Sequence, residues 1–83
     1  SLGCDEQLFK RLVKTTFNQR RKTLRNNIRP LLGELDTQCA KEGFPIADHS
    51  TLLQDPIFNQ RPEQLSVQQF IALTNRVSDE YKR

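Results

Sequence analysis

Ser66-Val67-Gln68-Gln69-Phe70-Ile71-Ala72-Leu73-Thr74-Asn75-Arg76-Val77 is the stretch from which the fold class is read. Ser66 and Gln69 have the spacing of a capping box. The serine oxygen accepts from one of the amides that a helix start leaves without a partner, and Gln69 reaches back to the Ser66 amide. Val67, Phe70, Ile71, Thr74 and Val77 then recur at three- and four-residue intervals, with Leu73 and Tyr81 beside them. That is one apolar stripe of period 3.6, and it predicts a helix.

The same grammar governs the other end. Asp5-Glu6 place negative charge where a helix dipole is positive, ahead of Leu8, Phe9, Leu12, Val13 and Phe17. The spacing predicts a helix over about residues 5–17, with Lys10, Arg11 and Lys14 largely off its apolar stripe. Asn18 suits an N-cap, so a second helix is expected from Gln19 to Ile28. On it Phe17, Leu24, Ile28 and Leu31 would share one side. Arg21, Lys22, Arg25 and Arg29 would share a neighbouring side, with Arg20 nearer the apolar edge. Pro30 lacks an N–H and disfavours helix at the residue before it, so an end or kink is expected at Arg29, with Leu31, Leu32 and Leu35 packing beyond.

Between these ends the text is less regular. Asp36 to Glu42 reads as a helix stopped by Gly43 and Pro45. Ser50 reads as the cap of a single turn through Leu52 and Leu53, ended by Asp55-Pro56. Residues 54–64 read as a loop anchored by Ile57 and Phe58. Nothing alternates as a strand would, and there is no repeat. The expectation is an all-α fold, a small helical domain of about four to five helices filling residues 1–83. A chain of 83 residues buries a modest core, so one apolar face is expected to lie against another domain.

Charge is unevenly spread. Residues 1–29 carry eight basic and two acidic residues, a net of +6, whereas residues 30–83 carry five basic and eight acidic ones, a net of −3. No acidic residue occurs from 7 to 33, and Arg20-Arg21-Lys22 followed by Arg25 concentrate the positive charge. Guanidinium forks match phosphate oxygens in geometry, lysine adds a point charge, and neutralised phosphates release counterions. This pattern points to a polyanion-facing surface. The plainer reading is a solvated face, with Gln19 or Arg20 tying helices together or meeting a neighbouring domain.

Several function classes drop out. Cys4 and Cys39 form no CxxC pair and read as free thiols, and His49 is the only histidine, so no imidazole metal cage is possible. No apolar run approaches the roughly 18 residues of a membrane span. Gly3, Gly33 and Gly43 stand alone, with no GxG run, P-loop or HExxH. His49 beside Asp48 reads as an ordinary surface histidine, and the pairs Glu34/Asp36 and Asp79/Glu80 as surface or helix-end charge. No catalytic residue is expected, and no cofactor or metal in this chain. A helix-turn-helix DNA binder would need a short turn, often with Gly, which Asn18-Gln19 does not provide.

The segment Phe17-Asn18-Gln19-Arg20-Arg21-Lys22-Thr23-Leu24-Arg25-Asn26 resembles the FxQRRKTLRN signature of the small-subunit rRNA adenine-N6,N6-dimethyltransferases, the family of the kasugamycin-sensitivity methylase. It lies near the start of that family's C-terminal domain. Asp5 to Lys14 is similar to the family's DExxFxRLVK helix, and Arg61-Pro62-Glu63-Gln64-Leu65-Ser66-Val67-Gln68-Gln69-Phe70 to its RPExLSVxxF segment. Residues 30–54 match less closely, and the loop before Ser66 is longer than the family's GIDP-type loop.

The resemblance implies a C-terminal accessory domain of a Rossmann-like methyltransferase whose catalytic domain, with its S-adenosylmethionine site, is absent from this chain. It implies small-subunit rRNA or the pre-ribosomal particle as partner, together with the protein's own N-terminal catalytic domain. A cytoplasmic monomer with no membrane association is expected. The residues it marks for the RNA backbone are Arg20, Arg21, Lys22 and Arg25, with Arg29, Lys10 and Lys14 as further candidates. The alternative is a helical protein-interaction module whose basic helix packs on a partner domain.

Overall fold

In the computed structural model, which describes residues 3–44 and 48–81, α1 spans Glu6–Phe17 and begins where the acidic pair predicts. Asp5 is its N-cap, its carboxylate accepting from the amides of Gln7 and Leu8 at 3.0 and 3.1 Å. At the far end α5 spans Val67–Glu80 on the capping box. The Gln69 amide donates to Ser66 Oγ at 3.1 Å and the Ser66 amide to Gln69 Oε1 at 2.8 Å. These two helices pack on each other and frame the domain.

The segment between them departs from expectation. The single helix expected over 19–28 is replaced by a run of turns from Asn18 to Lys22 and a one-turn helix, α2, at Leu24–Asn27. Thr23 is extended at φ −68°, ψ 158°, and the Leu24 amide leaves the local ladder to donate to Gln60 O at 2.8 Å. A tertiary hydrogen bond thus takes a donor that a continuous helix would have used. The three adjacent cations, with no acid nearby in sequence to offset them, gain nothing from helical stacking.

The break expected at Arg29 is present: α2 ends at Asn27 with Ile28 as its C-cap, Leu31, Leu32 and Leu35 pack beyond it, and Pro30 sits at a helix start. It opens α3 (Arg29–Lys41), where its missing N–H falls in the first turn and costs no hydrogen bond. The helix expected from Asp36 is the second half of α3. It ends at Glu42, followed by Gly43 at φ 86°, the left-handed conformation that glycine adopts without a Cβ clash. Pro45 lies outside the described residues. Ser50–Leu53 is the expected single turn, α4, but His49 is its N-cap, and the Ser50 amide is held by Asp48. The expected loop over 54–64 contains two 3₁₀ turns, Pro56–Asn59 and Pro62–Gln64.

Leu12, Leu24, Ile28, Leu31, Leu32, Leu52, Phe58, Phe70, Leu73 and Val77 form one buried cluster drawn from every helix and the first 3₁₀ turn. No strand occurs among the described residues, so the class is all-α. Leu73, expected at the edge of its stripe, is central, whereas Val67 is 63% exposed and outside it. Thr16 and Thr74 are buried too. Each bends its hydroxyl back to a carbonyl of the preceding turn, Leu12 O at 2.9 Å and Phe70 O at 2.8 Å. A threonine satisfied in this way packs as an apolar residue. Both cysteines are free thiols, Cys39 buried and Cys4 half-buried.

Candidate nucleic-acid interface

The basic run lies on the turn that leaves α1. Arg20, Arg21 and Lys22 are exposed, and none of them pairs with a carboxylate among the described residues. With Phe17, Asn18 and Gln19 they line an open cleft of about 330 Å³. Presented from a turn, the three consecutive side chains do not have to diverge by 100° steps as they would on a helix.

Asn27 holds this turn in place. It is 1% exposed, and its side-chain nitrogen lies 3.2 Å from Thr16 O, 3.4 Å from Gln19 O and 3.1 Å from Lys22 O. Two N–H groups thus serve three carbonyls that bracket the basic residues. The opposite orientation of the amide would set an oxygen against all three, so this one is favoured despite leaving buried Oδ1 without a partner. Asn27→Leu is expected to cost about 1–3 kcal/mol, because it strips donors from buried acceptors. Asn27→Asp should cost more at neutral pH, and its deficit relative to the leucine variant should shrink as acid protonates the carboxyl and restores a donor. Urea midpoints of both variants at neutral and mildly acidic pH check this. Equal, pH-independent deficits would contradict it.

The other sequence-predicted site residues are dispersed. Arg25, expected on an exposed helix face beside Arg21, turns inward. Its Nε and Nη2 donate to Leu53 O at 3.1 and 2.6 Å, and Nη1 reaches the Asn59 side chain. That guanidinium ties α2 to α4 and the first 3₁₀ turn. Arg29 is exposed on the first turn of α3 and borders a second open cleft with Asp48, His49 and Gln54. Lys10 and Lys14 are exposed on α1, one turn apart. Their neighbour Arg11 is engaged with Glu34 at 2.7 Å.

His49 is not the surface histidine expected, because its side chain is only 12% exposed. Nε2 lies 2.8 Å from Asp36 Oδ1, and Nδ1 3.1 Å from Glu80 Oε1. Tyr81 donates its hydroxyl proton to the same Asp36 oxygen at 2.7 Å and stands 3.0 Å from His49 Nε2. Burial and the neighbouring Asp36 carboxylate raise the phenol's pKa and keep it protonated. Burial alone would lower the pKa of His49, but hydrogen bonds to Asp36 and Glu80 outweigh it and the balance is raised. With an acceptor on each nitrogen, the imidazolium is the form that satisfies the site.

Because the folded pKa of His49 lies above the unfolded value near 6.5, its stabilisation is complete below about pH 6.5 and is lost as pH rises through the folded value. Wild type is therefore expected to lose stability on passing from pH 6 toward alkaline pH, by at most about 1.4 kcal/mol per pH unit for one proton. His49→Gln should remove that decline. A variant that declines as wild type does would show that His49 is not its source.

Sequence reasoning missed this cluster because Asp36, His49, Glu80 and Tyr81 come from three separate segments. It missed Asn27 because a polar residue inside an expected helix gives no sign of burial. No helix among the described residues is long and apolar enough to cross a membrane, and no group of three or more potential metal ligands occurs among them.

The two segments that carry the family resemblance meet in space. Phe17 of the first and Phe70 of the second stand 5.9 Å apart between ring centroids. No family model matches the chain, and no solved structure does. Curated proteins do. The chain is 56% identical over 81 residues, 98% of its length, to the Ribosomal RNA small subunit methyltransferase A of Bacteroides thetaiotaomicron. It is 57% identical over 76 residues to the protein of that name from Phocaeicola vulgatus, and 46% over 77 residues to that of Flavobacterium johnsoniae. It spans only about a quarter of these relatives' own length, 25%, 22% and 24% respectively. With both motifs in order, an all-helical fold and about half its residues identical along nearly all its length, the chain belongs to the small-subunit rRNA methyltransferase A family and corresponds to its C-terminal part.

Proposed function

We propose that this domain docks the RNA substrate of an S-adenosylmethionine-dependent rRNA adenine-N6,N6-dimethyltransferase, holding small-subunit rRNA or its precursor particle while a separate domain carries out methyl transfer. The observation that carries this reading is the Arg20-Arg21-Lys22 turn: three exposed cations without carboxylate partners among the described residues, on a backbone fixed by a buried amide. A backbone held in this way leaves only the side chains to be ordered when phosphates bind, and phosphate contacts fix position rather than read sequence. Lys10 and Lys14 on α1 and Arg29 on α3 are exposed outside this cleft and are further candidates for phosphate contact, while Arg25 contributes by holding the scaffold.

The methyl donor does not fit these residues. Gly3, Gly33 and Gly43 are isolated, and no strand leads into a glycine turn and helix among the described residues. Donor binding and catalysis belong to the remainder of the parent protein on this reading. The rival is the interaction module, in which the basic turn packs on a partner domain. RNA affinity as a function of salt, for wild type and for the combined alanine substitution of Arg20, Arg21 and Lys22, separates the two. If the turn meets phosphates, the substitution weakens RNA binding and flattens its linear log–log salt dependence; if the turn packs on a partner domain, both stay as in wild type.

A further inference from the structure

Among the described residues Phe17 is the one large apolar side chain lining the basic cleft, and it is 39% exposed. Its ring leans on Phe70 with the two planes 31° apart, and Phe70 in turn meets Phe9 edge-on at 6.5 Å. The core therefore fixes the ring, while its uncovered part shares the cleft with Asn18, Gln19 and the three cations. An aromatic ring left exposed forgoes burial that the core offers its neighbours. Set among cations that have no carboxylate partner among the described residues, it has the make-up of a stacking platform inside a phosphate-binding groove.

We propose that this cleft takes an unpaired nucleotide of the RNA, its base against Phe17 and its flanking phosphates on Arg20, Arg21 and Lys22. The proposal rests on the RNA-docking reading and adds a preference to it. In an A-form duplex the base faces are stacked on one another and cannot meet a side chain. A single strand, loop or bulge offers them freely. The charge around the ring favours a polyanion over an apolar protein segment, and Asn18 and Gln19 bring amide donors and acceptors to the base edge. At about 330 Å³ the cleft lies at the small end of ligand sites, which run from about 300 to 1,000 Å³.

The test compares a short oligoadenylate with a blunt RNA duplex of equal phosphate count. Phe17→Leu keeps apolar bulk against Phe70 and removes the π face. It is expected to weaken oligoadenylate binding about 5- to 150-fold, the range for loss of one stacked base, with duplex affinity and both salt slopes unchanged. The chain has no tryptophan, so Phe17→Trp introduces a single indole. It should retain affinity, and its emission should be quenched by oligoadenylate but not by the duplex. This second variant decides the matter if the leucine variant does not fold. Wild-type oligoadenylate affinity in Phe17→Leu, or an unquenched indole in a protein that binds, overturns the stacking site. If salt-dependent binding of both RNAs persists in that case, the docking reading stands without it. Absence of salt-dependent binding to either RNA overturns both.

Discussion

Phe70→Ala is expected to cost about 3–5 kcal/mol, the range for truncating a buried aromatic ring. Phe70 is 5% exposed and is the ring that both Phe9 and Phe17 touch, so its removal opens a cavity where α1 and α5 pack. Domains are typically stable by roughly 0.05–0.15 kcal/mol per residue, so for 83 residues the loss is a large part of the total. The urea midpoint should fall steeply, and the helical signal at room temperature should be reduced or lost. Phe70→Leu, which retains most of the volume, should cost clearly less. A Phe70→Ala protein with the wild-type midpoint would show that the core is centred elsewhere. The same ring supports Phe17, so a partly folded variant should also lose the order of the basic cleft.

Phe70 illustrates what the sequence makes legible. Local signals that report on themselves were readable: the Ser66/Gln69 box, the acidic start of α1, the apolar stripes and the glycine stop after Lys41. The last of these works because Gly43 adopts a φ of 86° that other residues avoid. Failures came where a distant group decides the local conformation. The Gln60 carbonyl claims the Leu24 amide and the Asn27 side chain claims three carbonyls, so residues 18–23 turn despite a helix-like pattern.

The site was legible in composition and not in geometry. Arg20, Arg21 and Lys22 stand together and exposed as their adjacency suggests, but on a turn. Arg25, one helical turn away on paper, is engaged by the Leu53 carbonyl and Asn59. Nothing in a one-dimensional charge pattern distinguishes a cation that faces solvent from one that holds two segments together. His49 fails for the same reason in reverse, since the carboxylates that hold it are 13 residues before it and 31 after it.

The remaining large effect concerns RNA. Replacing Arg20, Arg21 and Lys22 together by alanine should leave the fold intact, since exposed substitutions usually move stability by less than about 0.5 kcal/mol. For every phosphate that no longer meets a cation, the log–log salt dependence should flatten by roughly 0.7–0.9. If all three side chains meet phosphates, the slope falls by about 2–3. Near 0.1 M salt that corresponds to an affinity decrease on the order of 100-fold. The weakening should be similar across RNA sequences, because backbone contacts carry none of the sequence information.

RNA docking by the basic turn is tested most simply by a salt titration of small-subunit rRNA binding. Wild type and this triple variant are compared after their helical content and urea midpoints have been shown to agree. Docking through the turn requires weaker binding by the variant at every salt concentration and a slope shallower by about 2–3. A folded triple variant with the affinity and slope of wild type would contradict it.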